Sequence, residues 1–324
     1  MPFLSRFIPK IESGRQFVFF AVFLKVPFTQ ERKFSVAVMK PFHIFLVYDS
    51  VRLARNRWFA ETLTEKCSWR GWKLEVKLIE ELRDWFPELI VRESGGTGRP
   101  DAVFMRCTAP EFSRRCEDAG LRVFNSARVS EITNDKLKTF RYFQPRGIPM
   151  MESWKMDLGH LPAFPCVLKS RDGHGGSEVF CVHEASELRK ILQLQQPLET
   201  ENGVSERWMV QRLADAPGRD LRIYVVGNEI IAAMERRSES DFRSNYSLGG
   251  TAFRRQLTDE ELELAGRILK MMKFDFAGID LIFHEGRPIL NEIEDVVGSR
   301  MLYAHTELDI LEVFLDHAER ELNS

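Results

Sequence analysis

The sequence predicts an α/β protein whose first half is a parallel alternating domain and whose second half is α+β, built on hairpins. Three observations carry this. Short apolar β-type runs alternate with helical segments from residue 41 to about 130, the rhythm of a parallel sheet with crossover helices. Beyond residue 134, strand pairs are joined by short glycine-bearing connections at Gly173–Ser177, Gly227-Asn228 and Glu285-Gly286-Arg287, as in antiparallel hairpins. The chain has 324 residues, 44% hydrophobic and 29% charged, which is ordinary globular composition with room for roughly two domains.

Each element has its own warrant. Phe42–Tyr48 is a short apolar run, as expected of a buried strand. Leu53–Arg70 is predicted as one helix, with Trp58, Leu63 and Cys67 near one face and Gly71 as its stop. Lys73–Ile79 alternates as a strand, and Asp101–Met105 follows Pro100 as another. Pro110–Ala119 is a helix closed by Gly120, and Leu121–Phe124 is the next strand. Asn134–Gln144 is a helix stopped by Pro145-Arg146-Gly147. Phe164–Lys169 and Glu178–Val182 are strands flanking a glycine loop, with a helix at Ala185–Leu194 and a polar loop at Gln195–Ser205. Trp208–Leu213, Asp220–Val226 and Glu229–Arg236 are strands. Thr258 with Glu261 forms a capping box, and Leu262, Ala265, Leu269 and Met272 repeat at helical spacing after it. Phe276–Phe283 and Pro288–Ile293 make the last hairpin, and the final helix is expected to start near Thr306. The expected parts are a leader at 1–40, an N-terminal α/β domain at 41–134, a central lobe at 135–206 and a C-terminal lobe at 207–324.

The net charge of −2 is unevenly spread. Residues 1–40 carry seven Lys/Arg against two acids, and eight of the 25 Phe. This basic, aromatic leader is open to three readings: a signal peptide, a targeting peptide, or a segment preceding a natural start at Met39. It is expected to lie outside the working fold. No run approaches the roughly 18 apolar residues of a membrane span, so no membrane is expected as a partner; the near-neutral net charge calls for no nucleic acid, and a homo-oligomer is left open. Five widely spaced cysteines without a C-x-x-C pair point to reduced thiols and a cytoplasmic location.

The chemistry-bearing residues cluster in the second half. Gly173, Gly175, Gly176 and Ser177 could turn backbone N–H groups toward an anion, although a surface hairpin would use the same glycines. Lys169 ends an apolar strand beside that loop, and Lys136 opens the preceding helix; point cations beside an anion-binding loop suit phosphate. Asp280 lies in an otherwise apolar strand, and Glu292 and Glu294 alternate on the next. Residues two apart share a strand face, so the three acids meet and would repel unless a cation binds them, or else make an ion-paired or exposed face. Oxygen ligands of this kind suit Mg²⁺ bridging nucleotide phosphates. Arg222 and Arg243 could each hold a transferring phosphoryl group or a substrate carboxylate, or simply form a structural ion pair.

Lysine, strand lysine, glycine hairpin, Asp220-Leu221-Arg222, Asp241-Phe242-Arg243-Ser244-Asn245, strand Asp280 and Glu292-x-Glu294 follow one another in an order that resembles the ATP-grasp superfamily. The string from Asp220 through Glu235-Arg236-Arg237 to Gly249-Gly250 resembles the RimK-type glutamate ligases. The resemblance spans about 42–324, most strongly 207–294. It implies an N-terminal α/β domain followed by two α+β lobes that clamp ATP. Lys136 and Lys169 would hold phosphates under the glycine loop. Val210-Gln211-Arg212-Leu213 would pass the adenine, and Asp220 would contact the nucleotide. Arg243, Ser244 and Asn245 would approach the phosphates, and Asp280, Glu292 and Glu294 would carry Mg²⁺, with Mn²⁺ as a substitute. Two departures stand out: Arg212 replaces an acidic hinge residue, and Glu294-Asp295-Val296-Val297-Gly298 replaces the family's Asn, small residue and Pro-Gly.

The implied activity is ATP-dependent joining of a carboxylate to an amine through an acyl phosphate, with Arg222 and Arg243 as catalytic residues. By resemblance the amine is an amino acid such as glutamate, and the carboxylate belongs to a peptide, a carrier protein or a small acid. The competing expectation is an ATP-binding regulatory or scaffold protein of the same fold.

Overall fold

The computed structural model describes residues 41–82, 98–157, 159–160, 162–173, 175–176, 178–195, 206–238, 241–244 and 250–324. Residues 41–324 form one compact unit. The leader, Ser177, Asn245, Gly249 and the predicted loop beyond Gln195 lie outside the described residues. Among the described residues, no helix is long and apolar enough to cross a membrane.

The alternating half is a parallel sheet of β1 (His43–Tyr48), β2 (Lys73–Leu78), β3 (Ala102–Met105) and β4 (Arg122–Phe124), in the order β2-β1-β3-β4. Strands β1 and β3 are almost wholly apolar and buried, which fits a sheet covered on both faces. Around them lie α1 (Ser50–Arg55), α2 (Arg57–Trp69), α3 (Ile79–Leu82), α4 (Pro110–Asp118) and α5 (Ala127–Thr133). The single helix expected over Leu53–Arg70 is two. Asn56 leaves helical dihedrals (φ −121°, ψ 25°), and its side-chain amide donates to the Arg52 carbonyl at 2.9 Å. That local bond competes with the helix ladder and ends α1 with Arg52 and Arg55 in its last turn.

The hairpin half contains two antiparallel sheets. The smaller is β5 (Ser153–Lys155), β6 (Cys166–Ser170), β7 (Val179–Val182) and β8 (Trp208–Arg212), in the order β5-β8-β6-β7. It packs Leu168, Val182, Trp208 and Val210 against Leu188 and Leu192 of α7 (Ala185–Gln195). Helix α6 (Lys136–Phe143) precedes it; the Asp135 carboxylate accepts the Leu137 and Lys138 amides and caps its start. The larger sheet is β9 (Arg219–Val226), β10 (Glu229–Arg237), β11 (Thr251–Arg254), β12 (Phe276–His284) and β13 (Arg287–Glu294), in the order β11-β10-β9-β12-β13. Gly227 and Asn228 take φ of 58° and 65° in the β9–β10 turn, the left-handed pair that a tight hairpin needs.

Helix α8 (Asp259–Met271) opens with the capping box expected at Thr258 and Glu261. The last helix starts later than expected. A short α9 (Arg300–His305) comes first, the Thr306 hydroxyl bonds back to the Leu302 carbonyl at 2.8 Å, and Asp309 caps α10 (Ile310–Leu322). Phe314 of α10 meets Phe104 of β3 at 4.8 Å and Phe276 of β12 at 5.5 Å between ring centroids. Lys66 of α2 bonds Asp309 and Glu312 at 2.6 and 2.8 Å. These contacts lock the parallel sheet onto the larger antiparallel sheet, with the carboxyl ends of β1 and β3 beside the strands that carry the acids.

Candidate active site

Two neighbouring cavities meet at the acidic strands. The first is roofed by the glycine loop and floored by the larger sheet. Its wall includes Lys136, Lys169, Gly173, Gly175, Gly176 and Leu213 on one side, and Asp220, Arg243, Ser244, Asn291 and Glu292 on the other. Lys169 leaves β6 on the face opposite the Leu168 core. Its ammonium donates to Asn291 Oδ1 at 2.9 Å, and burial pushes its pKa down to about 8. The Lys136 ammonium donates to the Gly173 carbonyl and lies 3.3 Å from Glu292. Arg243 donates to the Gly176 carbonyl at 2.8 Å and is held by Asp241 at 2.6 Å, so the C-terminal lobe touches the loop directly. Gly218 makes that approach possible. Its φ is +72°, its amide donates to the Phe242 carbonyl at 2.7 Å, and a Cβ there would stand 2.6 Å from the Ser238 carbonyl oxygen.

The second cavity, of about 270 Å³, lies beyond the acids and is bordered by Arg222, Tyr224, Arg236 and Glu294 of the sheet, and by α1 and α9. Asp280 opposes Glu292 in the β12–β13 ladder and Gly278 opposes Glu294. One carboxylate oxygen from each of Asp280, Glu292 and Glu294 lies within 4.8 Å of the others. The acids therefore converge as expected, but they do not stand unneutralised. Arg222 holds Asp280 with two bonds of 2.7 and 2.6 Å and reaches Glu294 at 2.7 Å. Arg236 bridges Asp220 and Asp280 at 2.5 and 2.8 Å. Burial favours a protonated Asp280, yet Arg222 and Arg236 outweigh it and hold its pKa at about 2. Burial dominates at Glu294 and at Asp220 and raises both above the usual carboxylate range. Glu292 is likewise opposed by burial, but Lys136 brings it below that range. Three convergent hard-oxygen donors on two adjacent strands fit Mg²⁺ or a similar divalent ion.

The predicted residues divide as follows. Lys136, Lys169, Gly173, Gly175, Gly176, Leu213, Asp220, Arg243 and Ser244 meet in the first cavity, and Glu292 reaches it. Two hinge residues do not border it. The Gln211 amide donates to Ser153 on β5 at 3.1 Å, and Arg212 lies exposed on the other face of β8, because side chains alternate along a strand. Arg222 lines the second cavity instead. Ser177 and Asn245 are outside the described residues.

Sequence reasoning missed Asn291, Arg236 and Arg106. Asn291 is the extra residue of a bulge: Asp280 pairs with Glu292, but Leu281 pairs with Leu290. The bulge brings Asn291 and its neighbour Glu292 to the same cavity. Arg236 had a signal, a charge two residues beyond the apolar run Ile230–Met234 and paired across the ladder with Asp220. None of the five cysteines lines either cavity, and burial pushes the thiols of Cys67, Cys107 and Cys116 up to about 12 and that of Cys166 to about 11.

Comparison with known proteins agrees with this geometry. Residues 153–317 match the RimK-like ATP-grasp domain. A probable alpha-L-glutamate ligase of Xanthomonas euvesicatoria pv. vesicatoria is 30% identical over 219 residues, covering 64% of this chain and 72% of the relative. Another, from Maridesulfovibrio salexigens, is 26% identical over 288 residues, covering 82% and 93%. In fold, the chain is similar to the ATP-grasp ligase PsnB, solved with a phosphomimetic variant of a minimal precursor, Mg and ADP. That match has a TM-score of 0.61 at 19% identity, over 87% of this chain and 98% of PsnB. With the lysines, glycine loop and convergent acids in place, the chain belongs to the RimK-like ATP-grasp family and is an ATP-dependent carboxylate–amine ligase.

Proposed function

We propose that Lys136, Lys169 and Arg243 hold the phosphates of ATP in the first cavity, that the acid substrate occupies the second, and that the amine is an amino acid such as glutamate. One observation carries this reading: the two cavities share a border at Gly175 and at the acidic strands, with phosphate-binding cations on one side and Arg222 on the other. The names of the two relatives support glutamate as the amine.

The substrate carboxylate oxygen attacks the γ-phosphorus of ATP, the bond to the β-phosphate oxygen breaks, and ADP is formed. The amine then attacks the acyl carbon, phosphate leaves, and the amine loses a proton. Lys169 and Arg243 stabilise the charge on the transferring group, and Arg222 orients the acyl oxygen; positioning and charge neutralisation provide most of the rate. Asp280, Glu292 and Glu294 would hold Mg²⁺, or Mn²⁺ in its place, whose contribution is to neutralise phosphate oxygens. Arg236 is a positioning residue, keeping Asp280 and Asp220 in place.

Glu292 gives the cleanest test. Glu292→Gln is expected to lower Mg²⁺-dependent ADP release by at least about a hundredfold with an unchanged melting temperature. Undiminished turnover would overturn the site. The substrates are found by screening ADP release over pairs of acids and amino acids.

A further inference from the structure

The second cavity carries more positive charge than one reacting carboxylate requires. Six arginines border it, Arg52, Arg55, Arg106, Arg222, Arg236 and Arg300, against one lining carboxylate, Glu294. Three are already engaged. Arg222 and Arg236 hold Asp280, Glu294 and Asp220, and Arg52 holds Asp49 at 2.7 Å. The other three pair with no acid among the described residues. Arg55 and Arg300 are exposed at the ends of α1 and α9. Arg106 is 7% exposed. It donates to the Val297 carbonyl at 2.8 Å and lies 4.2 Å over the Phe59 ring, and its buried Nε has no hydrogen-bond partner.

The buried Asp295 carboxylate is near enough to interact with the Arg106 guanidinium but forms no salt bridge with it, so Arg106 Nε still lacks an acceptor, and a bound anion supplies one. The phosphates of ATP do not supply it, since their cations Lys136, Lys169 and Arg243 border the other cavity. Arg222 already faces the reacting end. We propose that the acid substrate carries a second anionic group, a carboxylate or a phosphate, and that Arg55, Arg106 and Arg300 bind it. This rests on the ligase reading of the site. Specificity for the acid then comes largely from the α/β half, through Arg55 at the break before Asn56 and Arg106 after β3, with Arg300 of α9 added from the C-terminal segment.

Calorimetry on the full chain, with Mg²⁺ and a non-hydrolysable ATP analogue, tests this with three probes of similar length. These are glutarate, its monoamide and 3-phosphonopropionate. One dianion is expected to bind at least about tenfold more tightly than the monoamide, the loss of one well-placed ion pair. The better of the two identifies the second group. The Arg55→Gln/Arg300→Gln variant, which keeps Arg106, should shrink the difference several-fold while binding the ATP analogue as before; both side chains are exposed, so the fold is kept. Equal binding of all three probes, or binding of none, overturns the proposal. Trapping the acyl phosphate with hydroxylamine gives a second readout, in which the variant raises KM for the dianionic acid and leaves kcat. A variant that raises only the KM of the amine assigns the arginines to the amine and also overturns the proposal. A calorimetric preference without hydroxamate from any acid supports the anion site and sinks the ligase reading instead.

Discussion

At the scale of single residues, charge and burial set the working range of the site. Burial holds the Lys169 pKa near 8, below its ordinary 10.5. Between those two values the unfolded chain binds a proton that the folded chain does not, so the stability of the nucleotide-free protein rises with pH across that window. On the proposed role of Lys169, ATP affinity is expected to run the other way, because phosphates need the ammonium form. Calorimetry between pH 7 and 9.5 should show ATP binding weakening above about pH 8, by up to about tenfold per pH unit, and Lys169→Arg should flatten the profile. Asp280 differs from Glu292 as a target. It is 1% exposed and bonded to two arginines, so Asp280→Asn leaves buried guanidinium charge uncompensated. A loss of about 3–5 kcal/mol of folding stability is expected, measured by urea unfolding. The two arginines come from other strands, and only the sheet register brings them to Asp280.

At the scale of elements, much was legible and the failures share a cause. Strands β1, β6, β9, β12 and β13 announced themselves as apolar runs, and the three acids stood out because nothing in an apolar strand explains them. The box at Thr258 was readable because its partners are three residues apart. Thr258→Ala is expected to cost about 1 kcal/mol in stability without changing ADP release, since α8 opens away from both cavities; parallel denaturation and activity measurements check this. What escaped notice depends on geometry that no short spacing encodes. Asn56 divides a helix by bonding its own preceding turn. The β13 bulge brings Asn291 to Lys169. The three-residue β5 exists only as a partner of β8, and it takes the Gln211 side chain that the hinge was expected to offer.

At the scale of the molecule, the parallel sheet and the larger antiparallel sheet are joined by apolar packing and charge. Phe104, Phe276 and Phe314 make one aromatic seam between the parallel sheet, the larger antiparallel sheet and the last helix. Lys66 and Arg70 fasten α2 to Asp309, Glu312 and Asp316 of the C-terminal segment. The smaller sheet, by contrast, has its own core around Trp208, and Arg243 ties its glycine loop to the opposite lobe. Gly175 of that loop borders both cavities. On the proposed assignment of nucleotide and acid to the two cavities, occupancy of one is expected to fix part of the wall of the other, so that each ligand acts as a heterotropic effector of the other. Linkage requires the effect to be reciprocal: whatever factor the ATP analogue contributes to acid affinity, the acid must return to the analogue. A closed thermodynamic cycle measured by calorimetry is expected to show a common factor above unity, whereas independent binding in both orders would mean that Gly175 is only a neighbour to each.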